Sequence, residues 1–506
     1  MGPAGDPRRA DRARHDQPQP ALARSAAQPQ CRGWRHRLLG QRKFRQRGGD
    51  RQVRPGPPPR PPAPARPAES RHFGRGRRGQ YPGRSSVSPV WHPFTQHGLQ
   101  EPIPLVERAE GAAIHLADGR RLVDGISSWW VTTHGHSHPR IAAAIADQAS
   151  KLDQVIFAGW THEPAETLAE NLIALMPSPL AHVFFSDSGS TAVEVALKMA
   201  LGFWHNRGEA RHRILVMEHS YHGDTIGTMS VGARGVFNRA YEKLLFDVGT
   251  VPFPAAGTEQ ATLDALDQAC RTQDIAAFIV EPLVLGAGGM LIYRPETLRA
   301  MRDICAHHGV LFIADEVMTG WGRTGTLLAC EQAGVVPDIL CLAKGITGGS
   351  LPLAVTLATP AIFEAHWSTD PAKQFFHSSS YTANPIACAA ANANLAIWRD
   401  EPVQQRIDTL AARQAAMLAD LAALPNVANP RQAGTIIALD VVDPAGTGYL
   451  STIAPRLRES FRGAPVLLRP LGNTVYLMPP YCIDEADLAT LGQAIADAAE
   501  GIRENP

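Results

Sequence analysis

The chain has 506 residues and a formal net charge of +1, enough length for more than one domain and a large buried core. No run of about 18 apolar residues occurs and no apolar signal core opens the chain, so a helical membrane span and a secretory leader are not expected. The seven cysteines are odd in number and lack a CxxC pair, which argues against a disulfide framework and for a reducing, cytoplasmic setting.

The near-zero net charge hides an asymmetry: residues 1–88 carry 21 Lys+Arg against 5 Asp+Glu, and the remainder 28 against 43. This first segment is crowded with proline and glycine, as in Arg54-Pro-Gly-Pro-Pro-Pro-Arg. Without a periodic apolar face, burial cannot offset the entropy of ordering it, and the segment is predicted to be disordered. Three readings compete for it: a basic arm for polyanions, an organelle transit peptide, or sequence placed ahead of the true start by a wrong initiation site. The third is favoured, because nothing in the segment has motif structure.

The folded part is expected from residue 89. Trp91-His-Pro-Phe94-Thr-Gln is an irregular lead segment, and Ala113–Asp124 reads as a hairpin turning at Asp118-Gly119. From Ile141 helical stretches alternate with short strands, predicted at His182–Ser186, Arg213–Met217, Ala276–Glu281, Val310–Asp315, Ile339–Ala343 and Ala354–Leu357. Thr191–Gly202 and Pro295–His308 are among the helices. That alternation predicts βαβ units and a mostly parallel sheet covered on both faces. An alanine-rich helix follows from Asn384 to about Trp398. A helix over 402–424, a strand at Thr435–Val441, another helix, and a strand pair around Val466–Pro470 and Val475–Met478 complete a smaller α+β unit. The predicted division is 1–88, 89–140 (joining the small domain), 141–399 (the large domain) and 400–506.

The residues that could carry chemistry sit at strand ends. Ile339–Ala343 is an apolar run closed by Lys344 and a glycine-rich turn. Burying an ammonium is costly, so this lysine either reaches water or has a lowered pKa suited to a nucleophile. Asp315, 29 residues upstream, closes a second buried strand, and ligands of open α/β sheets sit outside the carboxyl ends of strands. A lysine for a Schiff base and an aspartate for a pyridinium nitrogen are the polar groups that pyridoxal phosphate requires. Ser188-Gly189-Ser190 forms a strand–turn–helix junction able to take a phosphate, or a plain serine cap. Tyr221, after another strand end, is suited to stacking on a planar ring or to packing in a turn. Arg469, between apolar neighbours, suits a carboxylate or is a surface arginine beside a turn. His134-Gly-His136-Ser-His138 has alternate histidines, but no acid or cysteine adjoins it and glycine and proline mark it as a turn. No metal is assigned there.

These motifs resemble the class III aminotransferases, which are fold type I pyridoxal-phosphate enzymes. The stretches that carry the resemblance are Lys344, Asp315-Glu-Val with Gly320-Trp-Gly-Arg323-Thr-Gly, Ser188-Gly-Ser190, Asp118-Gly-Arg-Arg-Leu-Val-Asp-Gly-Ile-Ser-Ser-Trp129-Trp130, Tyr221-His-Gly-Asp224-Thr and Tyr476-Leu-Met-Pro-Pro-Tyr481. The likeness spans residues 89–497 and has no counterpart for the basic segment. It implies a large domain with a mostly parallel seven-stranded sheet, a smaller α+β domain, and a homodimer with active sites at its interface. No nucleic-acid or membrane partner is implied. Lys344 would be the catalytic amine and Asp315 the partner of the pyridine nitrogen. Gly189 and Ser190 would hold the phosphate, with Ser379 and Ser380 reaching it from the neighbouring subunit. Phe94, Trp129, Tyr221, Arg323, Lys344, Ser378 and Arg469 would meet substrate, Arg469 gripping a carboxylate and Arg323 setting donor selectivity. The specific stretches imply amino transfer from S-adenosylmethionine to 8-amino-7-oxononanoate, giving 7,8-diaminononanoate for biotin by a ping-pong course through pyridoxamine phosphate. Two departures stand out. Phe94 replaces the tyrosine of a frequent His-Pro-Tyr-Thr, and His377-Ser-Ser-Ser stands where His-Gly-Pro-Thr is common. They leave adenosylmethionine and lysine both open as donors. The rivals are a class III ω-aminotransferase using a 2-oxo acid, an aminomutase on the same fold, and a nucleic-acid-binding protein resting on residues 1–88 alone.

Overall fold

The structure, a computed structural model, describes residues 88–443, 446 and 448–504. The expected disorder of the basic segment therefore lies outside the described residues, except for Ser88. Seven strands form one sheet: β1 (His182–Ser186), β2 (Arg213–Met217), β3 (Gly249–Val251), β4 (Ile275–Val280), β5 (Leu311–Asp315), β6 (Ile339–Leu342) and β7 (Ala354–Ala358). Their order is β1-β7-β6-β5-β4-β2-β3, and β7 alone runs against the direction of the other six. Every residue of β4 is buried, as expected when both faces of a parallel sheet are covered. On one face helix α1 (Gly189–Arg207) sets Ala192, Val193 and Ala196 against Ile214, Ile279, Ile313 and Ile339. On the other, Phe278 meets Phe312 edge to face at 5.9 Å, with Arg302 of helix α2 (Pro295–His308) above Phe312.

The helix limits follow local chemistry. A capping box between Ser188 and Thr191 opens α1, and Gly208 closes it in the left-handed region at φ 74°, where glycine carries no Cβ penalty. Pro295 begins α2 and Gly309, at φ 64°, ends it. The alanine-rich helix is α3 (Pro385–Asp400). Strand β3 went unpredicted: three residues at a sheet edge carry too few side chains for a period to show.

Outside this layer, Val106–Glu110, Ala113–Leu116 and Arg121–Asp124 form an antiparallel meander, and Val466–Leu467 joins it parallel to Arg121–Asp124. A second sheet joins Val427–Ala433, Ile436–Val441 and Thr474–Leu477. The strand pair expected near 466–478 is therefore corrected. Its two members are not partners but lie in different sheets, separated by the turn at Gly472.

Candidate active site

Because β1, β2, β4, β5 and β6 all run in one direction, their carboxyl ends share one edge of the sheet. That edge carries Ser188, Tyr221, Glu281, Asp315 and Lys344 in turn. These residues, with Gly189, Ser190, His222, Gly223 and Trp130, line a cavity of about 370 Å³. Asp315 is placed by the pairing of β5 with β6, opposite Cys341. Lys344 leaves β6 with a left-handed backbone, φ 47°, before the glycine turn. At the start of α1 a Cβ on Gly189 would lie 2.6 Å from Val317 Cγ1, so only glycine fits. The first-turn amides of a helix have no acceptor within it and suit an anion.

The charges of the cavity are paired unevenly. Asp315 Oδ2 accepts a hydrogen bond from His222 Nδ1 at 2.7 Å and Oδ1 one from the Val317 amide at 3.1 Å. Glu281 accepts one amide with each oxygen, Tyr221 N at 3.0 Å and Gly286 N at 3.0 Å. Burial, reinforced by the Asp315 charge, pushes its carboxyl up to about 7. Burial also lowers the Lys344 ammonium, while Asp315 and then Glu281 oppose the shift. Its Nζ lies 5.3 Å from the centroid of the Trp130 ring. The Tyr221 hydroxyl is driven above its usual range, by burial first and then by Asp224.

A second cluster stands nearby. Arg469 Nη2 donates to the Phe94 carbonyl at 3.0 Å, and its guanidinium lies 5.4 Å from the Trp129 ring. Phe94 meets Trp129 edge-on at 5.4 Å and Phe237 at 6.1 Å, and Phe237 meets Tyr449 at 4.6 Å. This aromatic row reaches a neighbouring cavity of about 420 Å³ that shares Tyr221 and Gly223 with the first. Arg323 is placed elsewhere. It is buried, and its guanidinium donates to the carbonyls of Thr132, Pro479 and Trp130 at 2.9, 3.1 and 3.5 Å. Like Arg469, Phe94 and Trp129, it lines neither cavity. The direct substrate contact expected for it is not what this arrangement offers, because both Nη groups are spent on backbone, and Nε is buried without a partner.

Ser379 donates to Asp187 of the same chain at 2.6 Å, the Ser380 carbonyl accepts from Gln154, and Ser378 bonds the Ser379 carbonyl. Asp187 lines the first cavity, so Ser379 adjoins it within one chain, while Ser378 and Ser380 do not line it and the reach into a neighbouring subunit stays an expectation. The three histidines of the His134–His138 turn go separate ways. His136 pairs with Asp124 at 2.8 Å, His138 lies 3.8 Å from Glu401, and His134 is buried among Trp398 and Tyr481. Burial lowers His134 to about 3. The acids absent from the adjoining sequence are thus supplied by the preceding strand, through Asp124, and by the distant Glu401. Sequence reasoning passed over Glu281 and His222. Glu281 had the same signal as Asp315, a carboxylate closing a buried strand; His222 had none beyond its place beside Tyr221.

The description "Aminotransferase class-III" matches residues 95–499. The adenosylmethionine-8-amino-7-oxononanoate aminotransferase of Synechococcus elongatus is 49% identical over 423 residues, 82% of this chain and 99% of that protein. Its namesake in Nitratidesulfovibrio vulgaris is 40% identical, over 82% and 81% of the two chains. Among solved structures, the aminotransferase of that name from Methanocaldococcus jannaschii superposes with a TM-score of 0.78 at 32% identity, covering 82% of this chain and 97% of its own. An amine transaminase from an uncultivated Pseudomonas species, solved with pyridoxal phosphate bound, gives 0.78 at 33% identity, covering 82% and 99%.

Proposed function

The chain belongs to the class III aminotransferases, and from that premise we propose that it transfers the amino group of S-adenosylmethionine to 8-amino-7-oxononanoate, forming 7,8-diaminononanoate in biotin biosynthesis. Its cofactor is pyridoxal 5′-phosphate, and the cavity fits it. The glycine cradle at Gly189 and the first turn of α1 suit the phosphate. A buried carboxylate aligned by His222 suits a protonated ring nitrogen, and the buried amine of Lys344 suits an aldehyde. When bound, the cofactor supplies a carbonyl that accepts the amine and a ring that withdraws electrons from the donor carbon.

The chain's own residues do the rest. Asp315 holds the proton on the ring nitrogen, and the His222 hydrogen bond keeps its carboxylate in place. Lys344, with its pKa lowered by burial, takes the proton from the donor carbon and returns it to the cofactor side. Trp130 and Tyr221 wall the site and exclude water. Arg469 grips a carboxylate of the substrate, and Phe94 and Trp129 form the adjoining wall. The observation that carries the substrate reading is this Arg469–Trp129–Phe94 cluster, a fixed cation framed by aromatic rings, one of them the chain neighbour of the Trp130 that faces the Lys344 amine. The aromatic row onward to Tyr449 suits a flat purine, which adenosylmethionine has and lysine lacks.

We infer further that the chain works as a homodimer in the cytoplasm, with Ser379 and Ser380 serving the neighbouring site. In support, Ile156, Trp160 and Tyr381 are 63%, 67% and 63% exposed. Their segments are tied by the Gln154–Ser380 bond, and apolar surface of this kind marks an interface. The large and small domains proposed are residues 141–399 and 400–506, with 89–140 joining the latter.

The test is spectroscopic. The cofactor-loaded protein is mixed with adenosylmethionine, lysine or an ω-amine, and bleaching of its visible band is followed. Bleaching by adenosylmethionine, with recovery on 8-amino-7-oxononanoate, is expected. Bleaching by an ω-amine alone, with recovery only on a 2-oxo acid, overturns the reading in favour of an amine transaminase.

A further inference from the structure

The left-handed backbone of Lys344, at φ 47°, is a shape that a residue with a Cβ keeps only where its surroundings impose it. The short turn that follows, Lys344–Thr347, is closed by Ile346 N donating to Ala343 O at 3.1 Å and Gly348 N to Gly345 O at 3.0 Å. Trp321 packs against it so closely that a Cβ on Gly345 would stand 2.8 Å from Trp321 Cβ. From helix α3, Asn394 Nδ2 donates to two successive carbonyls of the turn, Gly345 at 3.1 Å and Ile346 at 3.0 Å. Both groups at that end are acceptors, which fixes it as the nitrogen of the side chain. Asn394 is fully buried, and Ala390, Ala391, Ile397 and Trp398, three and four residues away along α3, are buried and apolar. Packing of that face needs no amide, and asparagine is a poor residue for a helix interior. Its use lies in the bonds to the turn.

We propose that Asn394 is a positioning residue for amino transfer, its one amide group holding the two carbonyls that follow Lys344 and so fixing the backbone from which the catalytic amine is aimed. Asn394 touches neither substrate nor cofactor and acts only through the turn. Because the same amine moves the proton in both halves of the reaction, loss of the amide slows both. The binding of the donor, which other segments provide, is left as it was. The inference rests on Lys344 being the catalytic amine and holds whichever amine is the donor.

Asn394→Leu keeps the size of the side chain and removes both donors. In the full-length, cofactor-loaded protein it is expected to lower the maximal single-turnover rate of both half-reactions about ten- to hundredfold, the range of two lost neutral hydrogen bonds, with half-saturating substrate concentrations close to the parent's. Asn394→Asp gives a second reading should the leucine variant not fold. Protonated, its carboxyl donates to one carbonyl; ionised, it sets an anion against two. Its rates are therefore expected to run nearer the parent's at low pH and to fall as pH rises and the carboxyl ionises, a step absent from the parent profile. Parent maximal rates with only a lowered melting temperature, a loss confined to half-saturation or to one half-reaction, or an Asn394→Asp profile parallel to the parent's would each overturn the proposal. The donor used is whichever of adenosylmethionine and lysine bleaches the parent's visible band, so a wrong donor in the proposed function leaves the test intact. Borohydride labelling of the parent on a lysine other than Lys344 would overturn the assignment of the amine, and this proposal with it.

Discussion

His222 Nδ1 lies 2.7 Å from the Asp315 carboxylate, with both side chains almost fully buried, although the residues are 93 apart in sequence. The bond fixes which oxygen Asp315 turns to the cavity, and it offsets part of the cost of a buried negative charge. His222→Phe removes a charge-assisted hydrogen bond worth about 1.5–3 kcal/mol. The dissociation constant for pyridoxal phosphate should rise about tenfold to a hundredfold, as read by titrating the apo-protein with cofactor. Unchanged affinity would mean that the Val317 amide alone holds the carboxylate.

Lys344→Ala should abolish turnover while leaving the melting curve of the apo-protein close to that of the parent, since a buried ammonium contributes little to stability. Borohydride treatment should no longer attach the cofactor to the chain. Peptide mapping that finds the label on another lysine would refute the assignment.

Two buried carboxyls, Glu281 and Glu316, are each pushed up to about 7 by burial. In the unfolded chain they titrate near 4.5, so between about 4.5 and 7 the folded state binds protons that the unfolded state does not. Stability must then fall as pH rises through that window, by about 3 kcal/mol at most per group. Urea unfolding of the apo-protein at pH 5 and pH 7 should show the fall. Glu281→Gln and Glu316→Gln should each flatten it, whatever they do to absolute stability. A slope identical in both variants and the parent would show that other groups set it.

The sheet and the two groups at its heart were legible for a common reason. An apolar run ending in a charge, as at Ala343-Lys344 and Ala314-Asp315, is a costly pattern in a buried strand, and its location at the carboxyl end of a parallel strand gives it a use. Glu281 ends Ile275–Val280 in the same way, and the pattern there was read only as the close of a strand. What local sequence does not encode is which distant group answers a buried charge. Arg323 meets carbonyls of Thr132 and Pro479, 191 and 156 residues away, so a family motif that suggests substrate contact is silent on its neighbours. The mispaired strands near 470 fail similarly: both have apolar patterns, and only the tertiary course past Gly472 separates their sheets.

Phe94 carries the last prediction. Its backbone is left-handed, φ 48°, its carbonyl is held by Arg469, and its ring touches Trp129 and Phe237. A tyrosine would keep both ring contacts and add a hydroxyl beside a half-exposed wall of the substrate cluster. A hydrogen bond from that hydroxyl to the donor would contribute about 0.5–1.5 kcal/mol if neutral and about 1.5–3 kcal/mol if charge-assisted. Phe94→Tyr should therefore speed the half-reaction with adenosylmethionine by up to roughly a hundredfold and leave that with 8-amino-7-oxononanoate nearly unchanged. The competing account makes Phe94 an apolar wall, so that the new hydroxyl bonds only water and both half-reactions slow or stay level. Single-turnover rates in parent and variant separate the two. A gain with lysine alone would make lysine the donor that this position serves, and equal changes in both halves would show that residue 94 has no part in donor choice.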